Sequence, residues 1–348
     1  MTERPLAGLH HFWESHRRLF WMLHSTWALA SGIAVVFLAR ERYRLVLWVV
    51  VFLVLTWAST LYFGRVPSAA GTRTPGSGSR AAPPRLAHEV TSYITRVMYQ
   101  ETLFFLLPFY AYSTVVDSPN VAFLALLGGL AVFSCIDLVF DRWLRTRPIF
   151  GLTFFAIVAF GALNLLLPLL FGLQLRFATP VAALLALAAA LPLGWRFIHG
   201  RRRVTAGLVA AAAVFLTVAI GFPVLVPPVP LRMESATFAR DVDRGTLAMQ
   251  DSLRSPAPTS SVGSSLAVVV QVFAPSALPA MVQLEWRRDG RTVRESRDIE
   301  IVADHAGFRV WDVWHPTDGT VPPGAYEVVL RTQGNRVFGV AKLTVQGA

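Results

Sequence analysis

The chain has 348 residues, of which 54% are hydrophobic and only 15% charged, far from the roughly 25% charged residues of a soluble domain, and a soluble globular protein is excluded. The net charge of +11 lies wholly in the first two-thirds: up to Pro230 there are 19 arginines against 8 acids, and beyond it 13 basic residues balance 13 acids. The C-terminal part therefore keeps no basic face for a polyanion, which excludes a nucleic-acid partner.

Residues 1–18 predict a cytoplasmic segment with an interfacial helix marked by Leu6, Leu9 and Trp13; the interspersed His10, His11 and His16 lack metal-ligand spacing. Seven apolar stretches follow, each close to the about 20 residues that an α-helix needs to cross hydrocarbon. They are Leu19–Ala39, Leu45–Gly64, Met98–Val116, Val121–Phe140, Ile149–Gly172, Ala178–Trp195 and Val204–Val226, and they make residues 19–230 a transmembrane domain whose partner is the lipid bilayer. Within it, 66–84 is a Gly-, Pro- and Ser-rich flexible linker, and Leu86, Val90, Tyr93 and Val97 recur at helical spacing as a short interfacial helix. Gly207 with Ala211 lets helices approach closely. Counted over alternate loops, 15 arginines stand on the side of the N-terminus and 4 on the other. Because basic residues near span ends are retained in the cytoplasm, the N-terminus is expected in the cytoplasm and everything after the seventh span outside it.

After Pro227-Pro228-Val229-Pro230 the hydrophobic period changes from helical to two, the signature of strands. Leu266, Val268, Val270 and Val272 alternate. Val282, Leu284 and Trp286 alternate and run into Asp289-Gly290, a strong hairpin signal. Ile299 and Ile301, then Phe308 and Val310, then Tyr326, Val328 and Leu330 continue the pattern, and a last hairpin turns at Gly334-Asn335 into Val337 to Val345. Six or seven strands predict an all-β immunoglobulin-like sandwich over 231–348, with Ala257 to Ser265 as loop. The single cysteine, Cys135, lies in the membrane part, so no disulfide staples this domain.

Ionisable and polar groups inside spans mark functional candidates, because charge is costly in hydrocarbon. These are His24, Glu101, Asp137 and Asp141, with Asn164 beside Pro168 in the fifth span. Glu101 and Asp137 each lie about one turn from the cytoplasmic ends of spans 3 and 4, and Asp137 and Asp141 share a helix face. An interfacial ion-pair cluster with Arg96 and Arg142, or a cation or proton site, accounts for that pattern. In the end domain Trp286 is in phase with the core, whereas Trp311 and Trp314 are candidates for a binding surface. No metal site is expected, and no cofactor: Asp304, His305 and His315 fall short on ligand count. The only lysine, Lys342, lies outside the spans, and no phosphate-binding, H-E-x-x-H, G-x-S-x-G or paired C-x-x-C motif occurs. These absences argue against an enzyme and leave no catalytic residue to name.

Five segments carry a resemblance: ETLFFLLPFYAYST from Glu101 to Thr114, SCIDLVFDR from Ser134 to Arg142, ALNLLLPLLFG from Ala162 to Gly172, VQLEWRRDGRTV from Val282, and GFRVWDVWHP from Gly307 with its following LTV. Through them the chain resembles a family of uncharacterised bacterial inner-membrane proteins that join a multi-span N-terminal half to a C-terminal domain of unknown function. The resemblance implies the architecture and no chemistry, and it places Glu101, Asp137, Asn164 and Pro168 in recognisable segments. Two functions follow as expectations. One is a non-enzymatic membrane anchor presenting the periplasmic sandwich to a protein or envelope partner; the other is a small transporter, channel or intramembrane enzyme working through the acids of spans 3 and 4.

Overall fold

The computed structural model describes residues 85–198, 202–243, 245–246, 248–274, 280–301 and 308–347, together with Thr26, Trp27, Ala30, Val51 and 53–58. Apart from those short helical pieces, the first two expected spans, the linker 66–84 and His24 lie outside the described residues. The chain divides into two compact units, Met1–Pro108 with Gly129–Thr146, and Phe109–Gly128 with Arg147–Ala348.

Helix α1 runs unbroken over Arg85–Tyr112, so the expected interfacial helix and third span are one helix, which stops short of Val116. Helix α2, Val121–Ser134, corrects the expected fourth span Val121–Phe140. Its end is built by side chains: the Ser134 hydroxyl donates to Ala131 O (2.6 Å) and the Gln100 amide donates to Ser134 O (2.8 Å). Cys135 and Ile136 then bond only three residues back, the tightening typical of a closing turn. Asp137 opens a separate amphipathic helix, α3 (Asp137–Thr146), because charges at 137, 141, 142 and 145 cannot continue an apolar helix without being desolvated.

Among the described residues three helices are long and apolar enough to cross a membrane: α4 (Pro148–Phe171), the Leu175–Trp195 part of α5 (Leu175–Ile198), and α6 (Arg202–Gly221). Pro148 starts α4, where the missing N–H costs nothing. Gly172 ends it at φ 62°, its N–H donating to Pro168 O while the Leu173 N–H donates to Leu167 O, a left-handed cap that glycine adopts without strain. Three residues later, at Leu175, α5 begins its return alongside α4. Helix α6 lies close to α4 at Gly207, where a Cβ would stand 2.6 Å from Ile149 Cδ1. The T-shaped pair Phe160–Phe215, with centroids 5.6 Å apart, adds to that contact.

Beyond α6 the chain forms two sheets, ordered β2-β1-β4-β8 and β3-β10-β9-β5-β6, with β7 pairing β5. The strands are β1 Arg232–Val242, β2 Met249–Leu253, β3 Ala257–Pro258, β4 Leu266–Phe273, β5 Ala280–Arg288, β6 Arg291–Glu295, β7 Ile299–Ile301, β8 Phe308–Trp314, β9 Gly324–Thr332 and β10 Val337–Gln346. Inward residues of both sheets share one core: Phe238, Val268 and Val270 from one, Trp286, Tyr326 and Val328 from the other. The alternating residues read from the sequence in β4, β5 and β9 are all buried, and Ala267, Val269, Glu285 and Val329 on the opposite faces are buried as well. Asp289 and Gly290 turn the β5–β6 hairpin at φ 50° and 79°, the pair of positive values a two-residue hairpin needs. The stretch Ala257 to Ser265, expected as loop, instead holds β3 and one helical turn, α7 (Thr259–Val262). Strand β1 escapes a period-two pattern because its register with β4 shifts between Met233 and Ser235, and an extra residue there moves the following side chains to the other face.

On the outer side of β5, Glu285 is buried and accepts from Arg287 (2.9 and 3.2 Å) and Thr292, with Arg331 at 2.6 Å. Burial pushes its carboxyl up, but these donors outweigh it and hold the group below its ordinary value of 4.5. A lowered folded value means that the carboxylate adds stability above the ordinary value and that this is lost as pH falls through the folded one. The unfolding temperature of the wild type is expected to drop below about pH 4.5, and that of Glu285→Gln to drop less. Parallel acid limbs in thermal melts would contradict this origin.

Candidate functional site

The most tightly built polar feature of the unit Phe109–Gly128 with Arg147–Ala348 joins its helices to its sheets. Leu175, the first residue of α5, is 4% exposed and belongs to the same hydrophobic core as Trp286 and Val328, so the helix start is plugged into the sandwich. Beside it, the β9–β10 turn delivers Arg336, which is 1% exposed. Its guanidinium donates from Nη1 to Thr179 Oγ1 (2.8 Å) and from Nη2 to Leu175 O (2.6 Å).

From there a directed chain runs into the helices. Thr179 Oγ1 donates to Asn164 Oδ1 (3.0 Å), Asn164 Nδ2 donates to Tyr110 Oη (3.1 Å), and Tyr110 Oη donates to Gly161 O (2.9 Å). Each member is buried, so each bond is made where an unmade one would cost about 1–3 kcal/mol. Burial pulls the Arg336 guanidinium down to about 10, which leaves it charged at neutral pH. Among the described residues no carboxylate forms an ion pair with Arg336, so a full charge sits among neutral acceptors.

Two further bonds fix the same face. Asn120, in the loop between α1 and α2, donates from Nδ2 to Val337 O (2.7 Å) while its Oδ1 accepts from Val115 N (3.2 Å). Lys342 reaches Asp117 at 2.8 Å and Glu327 at 3.5 Å; these carboxylates raise its ammonium above the ordinary lysine value, though the pair is exposed and contributes little. The sheets thus touch the α1–α2 loop and the start of α5.

Of the sequence candidates, Asn164 lies at the centre of this chain. Glu101 is half-buried on α1, next to the fully buried Gln100 that caps α2. Asp137 and Asp141 sit on α3; their side chains, like His24, lie outside what the structure describes. Trp314 is 8% exposed and packs on Tyr326 with centroids 5.6 Å apart, so it serves the core. Trp311 is half-buried over the small cluster of Val242, Ala267, Val269 and Val313. Arg336, Thr179, Tyr110 and Asn120 carried no sequence signal, since each is a lone polar residue in an otherwise ordinary turn or apolar helix. Among the described residues no group of three His, Cys, Asp or Glu side chains is arranged to hold a metal.

Comparison with known proteins matches residues 6–262 to a family model described as Family of unknown function (DUF5924). The match covers most of the chain, which therefore belongs to that family. No curated protein matches it.

The uncompensated charge makes an unusual pattern of stabilities the expected outcome. Thr179→Val strips Arg336 of a buried acceptor and should cost about 1–3 kcal/mol, whereas adding Arg336→Met to it removes the charge and should restore part of that loss. Denaturant unfolding of the full chain in detergent measures both; strictly additive losses would contradict the assignment.

Proposed function

Starting from that family membership, we propose that the protein is a bacterial inner-membrane platform of seven spans that holds an immunoglobulin-like domain in the periplasm, where the domain binds a protein or envelope partner without catalysis. The observation that carries this reading is the buried junction of Arg336, Thr179, Asn164 and Tyr110. A domain meant only to float on a tether has no use for a buried charge and five ordered hydrogen bonds at its root; a domain that must be presented in one orientation does.

Sidedness draws on the arginine counts, which favour the loops around Asp117 and Leu175 lying opposite the cytoplasm; the sheets contact those loops through Lys342, Asn120 and Arg336, which supports the domain being on the same side. The immunoglobulin-like reading rests on the strand order β1-β4-β8 facing β10-β9-β5-β6, and on buried Trp286 in β5. It rests also on Tyr326 near the start of β9, whose hydroxyl donates to Pro322 O at 2.7 Å, the corner bond characteristic of such sandwiches. Val328, two residues on, takes the place a disulfide cysteine has in antibody domains. A second reading, transport or intramembrane catalysis through Glu101, Asp137 and Asp141, draws on the half-burial of Glu101 in a long helix.

Complementation of a deletion strain separates the two. On the platform reading, protein truncated after Ser235 is inactive although it inserts, while the triple variant Glu101→Gln, Asp137→Asn, Asp141→Asn rescues fully. Rescue by the truncated form, or loss of function in the triple variant at normal protein level, would sink the platform reading.

A further inference from the structure

Of the three long apolar helices, α6 is the least covered. Between it and α2 a groove of about 540 Å³ runs down to α4. Phe123 and Leu126 of α2 form one wall, Val214 and Val218 of α6 the other, and Ile157 and Phe160 of α4 the floor, all within one compact unit. Among the described residues that line it, Thr153 alone carries a polar side chain. An ordered water needs about two to four polar partners, so water is a poor filling, and helices of this length and hydropathy turn the open side of the groove towards bilayer hydrocarbon.

The length and width of the groove decide what fits. Ala210 and Ala219 both line it, and the helical rise between them is about 14 Å, close to the roughly 15 Å of one leaflet's hydrocarbon. At one end it reaches Leu225 and Val226, where the chain leaves α6 for β1, and Ala122 at the start of α2, so it opens on the side that carries the sandwich. Phe123 and Phe215 each meet Phe160 edge to face with centroids 5.6 Å apart, so the two wall rings lie no more than twice that distance from each other. A helix with its side chains is about 10–12 Å across and does not pass between them to the floor; an alkyl chain, whose carbons pack about 4 Å from their neighbours, does.

We propose that this groove is a binding site for one hydrocarbon chain of a membrane lipid, drawn from the leaflet on the side of the sandwich; the proposal rests on the membrane-spanning part of the platform reading. Leaving lipid for an apolar groove brings no hydrophobic gain, so what holds the chain is shape and dispersion against the aromatic floor and the walls. Recognition is of the chain and not of its head group. The chain fills the space beside α6, the helix that leads through Leu225 and Val226 into β1, and ties that helix to α2.

The test uses the full chain, purified in dodecyl maltoside and stripped of lipid, then titrated with a phosphatidylcholine that carries a diazirine in one acyl chain; after irradiation the labelled peptides are mapped. Label around Ile157, Val214 and Val218 should saturate at one lipid per protein, and unlabelled phosphatidylethanolamine and phosphatidylglycerol with the same chains should displace it equally. Ile157→Trp, at a half-buried floor position, fills the groove and should abolish this label, as should Val218→Trp on the wall, so the result does not hang on one variant that folds poorly. Ala213→Trp adds the same bulk on the exposed face of α6 outside the groove and should leave the label intact. Label that rises without saturating, as loose annular lipid gives, would overturn the site. So would label that survives both groove variants, displacement by one head group only, or a groove left unlabelled because a protein helix fills it. A protein that leaves membranes without detergent fails the spanning premise; one that needs detergent yet shows no saturable label fails this site alone and leaves the platform reading standing.

Discussion

A single guanidinium governs the joint on which the rest of the unit depends. Arg336 leaves a hairpin turn, enters the start of α5 and ends among neutral oxygens, 1% exposed and unpaired with any described carboxylate. Desolvating such a charge costs several kcal/mol, and nothing local repays it. What repays it is the assembly: Leu175 buried in the sandwich core, the Thr179–Asn164–Tyr110–Gly161 chain that passes polarity inward, and Asn120 holding Val337 O from the neighbouring loop. Separating helices from sheets would unmake the Arg336 and Asn120 bonds and expose Leu175 together, so the interaction is cooperative by construction.

The halves of this arrangement were unequally legible in the sequence. Strand cores announce themselves through apolar residues at every second position, Val268 and Val270 in β4 or Leu284 and Trp286 in β5, although Ala267 and Val269 on the other face of β4 and Glu285 in β5 are buried as well. The Asp289-Gly290 turn is equally plain, since few residue pairs accept two positive φ values. Strand β1 stayed hidden because a register shift after Met233 resets its alternation. Helix boundaries failed where side chains from elsewhere decide them. The end of α2 at Ser134 depends on Gln100, 34 positions away, and no window of hydropathy contains that information.

Asn164 was legible as an intramembrane polar residue beside a helix-opening Pro168, yet its partners were not. Thr179 and Tyr110 are common residues in apolar helices, and Arg336 looks like one more surface arginine of a hairpin. Only the fold brings positions 110, 164, 179 and 336 within hydrogen-bond reach. Trp314 shows the opposite case, a residue singled out for its chemistry that serves the core because β8 turns its side chain inward against Tyr326.

The central claim is that the sandwich is clamped to its helices in one orientation by the Arg336 junction. The most direct measurement is a pulsed-EPR distance distribution, in a Cys135→Ser background, between spin labels at Leu191 on α5, which is 61% exposed, and at Arg309 on β8, which is exposed. The account predicts one narrow distribution in the otherwise unaltered protein and a broadened one when Asn164→Leu and Thr179→Val break the polar chain. A broad distribution with the chain intact, or a narrow one that survives its removal, would contradict it.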